Sequence, residues 1–176
     1  MISFKTATSQ NELEQILALQ KANLPMAVSK EEQQAEGFVT VHHDFDILKR
    51  MNEACAHTLA KDGEKVVGYA LSMHPKFGDE IEVLRPMFKQ IRDHLPTDVS
   101  YVIMGQICID KAYRKQGIFR KLYEAMKEHV NPEFEAIITE VDTRNVRSLY
   151  AHHAVGFRLL HRYYADGRDW ELIILK

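Results

Sequence analysis

The chain of 176 residues is long enough to bury the core of one ordinary domain and too short for two comfortable ones. Its 45% hydrophobic and 27% charged residues exclude the composition of a disordered chain and indicate a packed fold. The formal net charge of -2 at pH 7 gives no overall electrostatic footprint for nucleic acid or an anionic membrane, so the expected partner is a small molecule or another protein.

Three helical patterns occupy the first third of the chain. Ser9, with Glu three positions later, forms a capping box ahead of apolar residues at helical spacing, which predicts a helix over about 10–23. The same device at Ser29, with Gly37 as a stop, predicts a short second helix. A third helical segment is predicted before Cys55 from the spacing of Phe45, Leu48 and Met51.

A hairpin and a further helical segment follow. Two β-rich runs, 57–61 and 66–73, flank Asp62-Gly63, a pair that suits a tight turn between antiparallel strands. Residues 75–100 then carry apolar side chains at helical spacing around Pro86, which predicts a helical insertion. This insertion is a candidate for part of a substrate pocket, a lid or a homodimer surface.

The second half of the chain alternates strands with helices and closes on a hairpin. Its predicted elements are strand 101–109, a basic loop ending at Gly117, helix 118–130, strand 136–141, helix 145–155, and a hairpin of 157–163 with 170–175. Together these patterns predict an α/β (α+β) fold for a single domain over 1–176. Helices would flank a mixed, mostly antiparallel sheet with one parallel crossover through helix 118–130.

The loop before helix 118–130 carries the clearest chemical signal. A helix N-terminus exposes unpaired backbone N–H groups, and Gly117 allows the backbone to approach an anion closely. The segment matches neither G-x-x-x-x-G-K-S/T nor G-x-G-x-x-G, which counts against nucleoside triphosphate hydrolysis and dinucleotide redox chemistry. We therefore expect phosphate binding. Asp110 is the one acidic residue of the segment, and five cationic residues accompany it: Lys111, Arg114, Lys115, Arg120 and Lys121.

Two motifs identify a family resemblance. Arg114-Lys115-Gln116-Gly117-Ile118-Phe119 resembles the Arg/Gln-x-x-Gly-x-Gly/Ala loop of the GNAT superfamily of acyl-CoA-dependent N-acetyltransferases, although Phe119 departs from the last position. The segment from Asn145 to Phe157 is similar to the second signature of that family, with Asn, Ser, His, Gly and Phe at its intervals. The resemblance implies a GNAT-like fold with splayed strands that hold acetyl-CoA, the acyl donor for a small-molecule or peptide amine.

The resemblance also implies which residues bind the donor. The strand ending at Ile109 would part from the strand ending at Val141, so that free backbone groups pair with the pantetheine arm and one N–H polarises the thioester carbonyl. Asn145 would lie beside that arm. The implied donor-binding residues are Ile107, Cys108, Ile109, Arg114, Lys115, Gln116, Gly117, Ile118, Phe119 and Asn145.

Acyl transfer also requires proton donors and acceptors. His152 falls where the family often protonates the departing thiolate, and Tyr150, two residues earlier, is the alternative acid. Imidazole with an ordinary pKa of about 6.5 suits that role near neutral pH. Glu140, near a strand end, is the candidate base, and Asp142 is a weaker one. An equally supported interpretation is that Glu140 has a structural role and pairs with Arg144 or Arg147.

Two other function classes stay open at the level of sequence. A thiol nucleophile at Cys108, with His152 or His153 as its base, is disfavoured because a cysteine inside an apolar strand is usually an inert buried thiol. A noncatalytic acyl-CoA-binding sensor or interaction module would bind the thioester without turnover. Experiments with an amine panel distinguish this module from an acyltransferase.

The cysteines and histidines of the chain lead to expectations about disulfides and metal binding. Cys55 and Cys108 are the two cysteines and lack paired spacing, so we predict neither a disulfide framework nor a cysteine-based zinc site. Adjacent histidines such as His42-His43 point in different directions on a helix, and we predict no metal.

The first residues lack a signal-peptide pattern, and no apolar run reaches membrane-spanning length. We expect a cytoplasmic protein.

Overall fold

A seven-stranded mixed sheet forms the centre of the computed structural model, which describes residues 1–24, 30 and 42–176. The strand order is β1-β2-β3-β4-β5-β7-β6, and neighbouring strands are antiparallel except for the parallel pair β4 and β5. The predicted fold class is confirmed. The strands are β1 (Ile2–Thr6), β2 (Thr58–Asp62), β3 (Lys65–Met73), β4 (Tyr101–Ile109), β5 (Ala136–Asp142), β6 (Arg158–Ala165) and β7 (Arg168–Leu175).

Five α-helices in the described residues flank this sheet. The capping box predicted at Ser9 is present and starts the first helix, and Gly117 and Asn145 precede the fourth and fifth as expected. The short helix predicted between Ser29 and Gly37 lies outside the described residues. The helices are α1 (Gln10–Ala22), α2 (Phe45–Ala54), α3 (Arg85–His94), α4 (Ile118–Val130) and α5 (Val146–Val155).

Strand β1 is an element that the sequence patterns did not reveal. Its five residues pair antiparallel with β2, from Ile2 opposite Asp62 to Thr6 opposite Thr58. Ile2 and Phe4 pack against the core cluster that includes α4. So short a segment, with two large apolar residues, gives a weak period-two pattern, and the free edge of β2 supplies the hydrogen bonds that order it.

The segment 75–100 is helical, as predicted, but in separate pieces. Short 3-10 turns at Pro75–Phe77 and Glu82–Leu84 precede α3. Pro86 occupies the first turn of α3, where a missing N–H costs no hydrogen bond, so it begins the helix instead of interrupting it. Met87, Phe88 and Ile91 are the buried residues of this helix.

The helices form two layers on opposite faces of the sheet. α1, α2 and α3 pack on one face in two neighbouring clusters, and α4 packs on the other face with the apolar side of α5. Side chains of β5 alternate between these layers: Ile137 and Val141 join α4, whereas Ile138 joins α3. Glu140 therefore lies on the face of α1, α2 and α3.

The parallel strands β4 and β5 part along their length. They pair only from Tyr101 with Ala136 to Ile103 with Ile138, and the remaining stretches, 104–109 and 139–142, do not pair with each other. A register shift between β3 and β4 at Leu71/Ser72 accompanies the separation. The opening leaves β4 backbone groups available for a ligand.

Candidate functional site

A cleft of about 260 Å³ lies beside the end of β4, on the side where β5 has left it. Its walls come from β4, the following basic loop and the first turns of α4 and α5. Nine side chains or backbone positions expected from the sequence meet here: Ile107, Cys108, Ile109, Arg114, Lys115, Gly117, Ile118, Phe119 and Asn145. Five further lining residues were not among the expected ones: Asn23, Tyr113, Arg147, Ser148 and Ala151.

The N-terminus of α4 is the cationic end of this cleft. Gly117 stands at the N-cap with φ of +78°, in the left-handed region that favours glycine, and no side chain caps the helix. The N–H groups of the first turn therefore stay available to an anion. A Cβ built on Gly117 meets nothing within 4 Å, so the space above the helix end is open.

Arg114 fastens the loop to two other elements. Its Nε donates to the carbonyl oxygen of Ile109 at 3.2 Å, and its Nη2 donates to Asn23 Oδ1 at 2.6 Å. Gln116 differs from its neighbours because its side chain donates to the Ala112 carbonyl oxygen at 3.3 Å and lies outside the cleft lining. Asn23 gave no signal in the sequence, since 91 residues separate it from Arg114.

The start of α5 forms the opposite wall. Asn145 caps the helix, with its Oδ1 accepting from the Ser148 N–H at 3.2 Å. Arg147, Ser148 and Ala151 line the cleft from the same helix. Arg147 and Ser148 lie within the motif that identified the family resemblance, so the position of that motif was the signal that could have found them.

His152 is buried among aromatic rings, and its side chain does not line the cleft. The side chains of Phe119, Tyr123 and Phe157 all make edge contacts with its ring. Nδ1 lies 2.7 Å from the Ser148 carbonyl oxygen, which can only accept, so Nδ1 carries the proton and Nε2 accepts from the Tyr123 hydroxyl at 2.7 Å. Burial lowers the pKa of His152 to about 4. The imidazole is therefore neutral at pH 7.

Tyr150 and Glu140 occupy contrasting environments. Tyr150 is 74% exposed on α5, one turn after Arg147. Glu140 accepts a hydrogen bond from the hydroxyl of Tyr163, and burial raises the pKa of Glu140 to about 7 although that bond lowers it. No motif marked Tyr163, because its contact with Glu140 depends on how β6 and β5 align on either side of β7.

Of the two arginines considered as partners of Glu140, Arg144 pairs with Asp142 instead. Arg144 donates to both carboxylate oxygens of Asp142, the shortest contact being 2.6 Å from Nη2. This pairing lowers the pKa of Asp142. Asp142 is thus an ionised structural carboxylate at neutral pH, whereas Glu140 can exchange a proton there.

Cys108 lines the cleft, but its thiol packs in the core cluster with α1 and is unreactive. It is 8% exposed, and burial raises its pKa to about 11. Very little thiolate exists at neutral pH under these conditions, which argues against a thiol nucleophile. His153, one of the bases considered for it, is engaged through Nδ1 with the Phe157 carbonyl oxygen at 3.0 Å.

The described residues contain neither a cluster of metal-ligating side chains nor a membrane-spanning helix. Within residues 1–24, 30 and 42–176, no three or more histidine, cysteine, aspartate or glutamate side chains gather in a group able to hold a metal ion. In the same part of the chain, no helix combines the length and apolar character needed to cross a membrane.

Comparison with known proteins gives one family and many similar folds. The model of the acetyltransferase (GNAT) family matches residues 13–157, whereas none of the curated proteins matches the chain significantly. Among solved structures, a chain of the NatC complex, bound to Gag peptide and CoA, superposes with a TM-score of 0.67 at 16% identity, covering 99% of this chain and 97% of that one.

Two bacterial structures agree with this fold. The ribosomal-protein-S18-alanine N-acetyltransferase from Escherichia coli has a TM-score of 0.66 at 13% identity, covering 99% of this chain and 93% of that one. The yncA protein of Salmonella typhimurium, solved with its cofactor acetyl-CoA, has a TM-score of 0.67 at 15% identity, covering 100% and 94%. Similarity at this level of identity concerns the fold.

Proposed function

The chain belongs to the acetyltransferase (GNAT) family, and from this premise we propose that it is an N-acetyltransferase that moves the acetyl group of acetyl-CoA to a primary amine by direct attack in a ternary complex. The observation that carries the proposal is the cleft beside the parted strands, which ends at the uncapped N-terminus of α4. One elongated site thus offers backbone groups at one end and an anion-binding helix terminus at the other.

Acetyl-CoA would lie along this cleft with its pyrophosphate at α4. The first-turn N–H groups and the side chains of Arg114 and Lys115 would neutralise the phosphates. Gln116 would contribute through its backbone, because its side chain is engaged with Ala112. The pantetheine arm would follow Ile107–Ile109 toward the sheet centre, beside Asn145.

The reaction forms one bond and breaks another. The lone pair of the neutral amine attacks the thioester carbonyl carbon, and the C–S bond then breaks with its electron pair going to sulfur. The amine nitrogen loses one proton, and the CoA thiolate gains one. A backbone N–H of β4 beyond Ile103, where β5 no longer pairs, would stabilise the tetrahedral oxyanion.

We assign the base role to Glu140, acting directly or through a water molecule. Its pKa of about 7 leaves it partly ionised near neutral pH, where it can accept a proton from an ammonium or from the attacking amine. Glu140 lies two residues beyond Ile138, the last residue of β5 that pairs with β4, on the face opposite α4. It is thereby offset from the donor cleft toward the other side of the sheet.

For the acid we favour Tyr150 over His152. Both nitrogens of His152 are committed to Ser148 and Tyr123, so it has no free proton to give and acts as a positioning residue for α5. Tyr150 is exposed one turn after the cleft residue Arg147 and next to Ala151, which also lines the cleft. Its hydroxyl would turn toward the sulfur of the bound donor.

The acceptor class, the domain organisation and the cellular location are also part of the proposal. A small-molecule or peptide amine fits the chemistry, and the peptide in the NatC structure shows that this fold serves peptides elsewhere. We expect one catalytic domain over 1–176, a cytoplasmic location that suits the free thiols Cys55 and Cys108, and no metal.

Thermal unfolding with acetyl-CoA, with free CoA and with neither tests donor binding. Ligand at a hundred times its Kd adds about 2.7 kcal/mol to the free energy of unfolding, and Gly117→Glu should abolish that gain. Gly167→Glu is the matched control, because Gly167 has φ of +74° and, like Gly117, nothing within 4 Å of a built Cβ. No shift in the wild type at millimolar ligand would refute the proposal. Stabilisation without turnover across a broad amine panel would favour an acyl-CoA-binding module.

A further inference from the structure

A second and larger cavity opens on the opposite face of the sheet. Its volume is about 730 Å³, within the range of small-molecule sites, and it lies between α2, the turns at 80–84 and the middle of β4. Segment 75–100, which the sequence singled out as an insertion, supplies one of its walls. We call this space the acceptor cavity.

The acceptor cavity and the donor cleft meet the same strand two residues apart. The cleft contacts β4 at Ile107–Ile109, and the acceptor cavity contacts it at Gly105, a separation of about 7 Å along the strand. Gly105 is exposed even though its neighbours Met104 and Gln106 are only 3% and 8% exposed. The acceptor cavity therefore reaches the backbone of a central strand at the level where β5 departs.

Glu140 stands at the same level of the sheet. Ile103 and Ile138 are the last residues that β4 and β5 pair, and Gly105 and Glu140 each follow two residues later. By the alternation of side chains along β5, Glu140 is on the face that holds the acceptor cavity. An amine entering from this face would approach both the candidate base and an acetyl group held in the donor cleft.

Hydrogen bonds connect His43, in the wall of the acceptor cavity, to α1 and β4. The His43 N–H donates to Gln20 Oε1 at 2.7 Å, and its Nδ1 accepts from Gln20 Nε2 at 2.9 Å. Gln20 Nε2 also donates to Gln106 Oε1 at 2.7 Å, which ties this wall to β4 beside Gly105. Because Nδ1 accepts, Nε2 carries the proton of the neutral ring, and burial lowers the pKa of His43. The residue adds a hydrogen-bond donor without a positive charge.

The surface of the acceptor cavity is apolar inside and acidic at the rim. Met51 and Met73 are at most 1% exposed and form the floor with Ile81 and Leu84. The one lining lysine or arginine among the described residues is Arg50, whose Nη2 donates to both carboxylate oxygens of Glu80 at 2.8 and 3.0 Å. The remaining rim carboxylates belong to Asp44, Asp46 and Glu82, of which Glu82 has an exposed ion pair with Arg85 at 3.7 Å.

We propose that the acceptor cavity binds the acyl acceptor and that this acceptor is a cationic amine with an apolar body and no carboxylate. The inference rests on the proposed acetyltransferase function and narrows its substrate class. The apolar body would lie against Met51, Met73 and the turn residues, with the amine turned toward Gly105 and Glu140. The acidic rim attracts the cation during approach and repels anionic amines.

Gly105→Leu tests the location of the site. A Cβ at this position meets nothing closer than the Leu71 carbonyl oxygen at 4.0 Å, so the leucine side chain enters the acceptor cavity and not the packed core. With tryptamine as the probe amine, we expect at least a tenfold loss of CoA release, a smaller loss in Gly105→Ala, and unchanged thermal stabilisation by acetyl-CoA. Equal tryptamine turnover in wild type and Gly105→Leu would overturn the assignment.

Amine selectivity tests the chemical class. Wild type should acetylate tryptamine at least tenfold faster, in kcat/KM, than ethylamine or glutamate, which lack the apolar body or carry carboxylates. A preference for glutamate or ethylamine, or acetyl-CoA binding without tryptamine turnover, would overturn this inference while leaving donor binding intact. Absence of acetyl-CoA binding would instead refute the proposed function itself.

Charge at the rim gives a third measurement. Asp46→Asn and Glu82→Gln should each raise KM for tryptamine about two- to fivefold with little change in kcat, as expected for solvent-screened charges. Glu53→Gln, which removes an exposed carboxylate from α2 outside the acceptor cavity, is the matched control and should leave KM unchanged. Equal effects of all three variants would show that the rim is not specific for the acceptor.

Discussion

At the scale of single residues, Glu140 has the most informative environment. Burial brings its pKa to about 7, so the fraction of base rises through the neutral range. Glu140→Gln should lower kcat/KM at pH 7 by about a hundredfold, the lower part of the range for a lost general base, and should remove the rise in rate between pH 6 and 8. A pH-rate profile of kcat/KM measures both effects.

Tyr163 supplies the control for that prediction. Its hydroxyl donates to Glu140 and lowers the pKa of that carboxyl, so Tyr163→Phe should move the rise in rate to higher pH without removing it. If Glu140→Gln keeps the wild-type profile, another group or water alone accepts the proton, and orientation in the ternary complex accounts for the rate.

Substitution of Tyr150 should affect catalysis, whereas substitution of His152 should affect stability. Tyr150 is exposed, so Tyr150→Phe should leave the free energy of unfolding unchanged while lowering kcat by about tenfold or more. His152→Ala should cost about 3 kcal/mol of stability, because it empties an aromatic cluster and leaves the buried Tyr123 hydroxyl without its acceptor. Urea unfolding and initial rates on both variants make the comparison. Unchanged kcat in Tyr150→Phe would contradict its role as the acid.

At the scale of elements, the capping box of α1 makes a measurable contribution to the free energy of unfolding. The Ser9 side chain accepts from the Glu12 N–H at 3.2 Å, and the Glu12 carboxylate accepts from the Ser9 N–H at 3.2 Å. Ser9→Ala should therefore lower the free energy of unfolding by about 1 kcal/mol. Ser9→Asp, which can also cap, should restore most of that loss in urea unfolding. No loss in the alanine variant would mean that packing alone fixes the start of α1.

Glu12 also shows what local sequence patterns could reveal. The capping box was readable because its two residues are three positions apart. The ion pair of Glu12 with Lys61 at 2.9 Å was not, since it depends on α1 lying across β2 and β3. Local signals thus found most helices, the hairpins and the basic loop, whereas contacts between distant segments stayed hidden.

The same distinction applies to the candidate site. The glycine loop and the Asn cap were found because each is a short continuous pattern, whereas the parting of β4 from β5 was expected only from the family resemblance. The partners that decide protonation, Tyr123 for His152 and Tyr163 for Glu140, come from other elements. For that reason the sequence suggested His152 as an acid with an ordinary pKa, whereas burial in the folded protein keeps its ring neutral.

At the scale of the whole molecule, buried titratable groups set the dependence of stability on pH. Burial lowers the pKa of His57 and of His152 to about 4, below the ordinary 6.5, so the unfolded chain binds more protons than the folded one between these values. The stability that both histidines contribute is present above pH 6.5 and is lost as pH falls toward 4. Glu140, with its pKa raised to about 7 by burial, acts in the opposite direction between 4.5 and 7.

The lowered pKa of His43 acts in the same direction as those of His57 and His152, so three histidines against Glu140 predict the net direction. The free energy of unfolding should rise with pH from about 4 to 6.5, and Glu140→Gln should make that rise steeper. His57→Gln should make it shallower, because one of the neutral buried histidines is gone. Urea titrations at pH 4.5, 5.5 and 6.5 measure the slopes. A wild-type stability that falls over this range would contradict neutral burial of the histidines.

The opening between β4 and β5 also predicts a pattern of amide hydrogen exchange. Successive N–H groups of a strand point to alternate sides, so over 106–109, beyond the register shift at Gly105, those directed at β3 are bonded and those directed at the opening face solvent. Exchange in the unliganded protein should therefore alternate slow and fast from residue to residue, a signature absent from a continuous sheet. Acetyl-CoA that pairs with this edge would slow the fast set and leave the slow set unchanged, so the protein would complete its sheet with a molecule that is not a polypeptide.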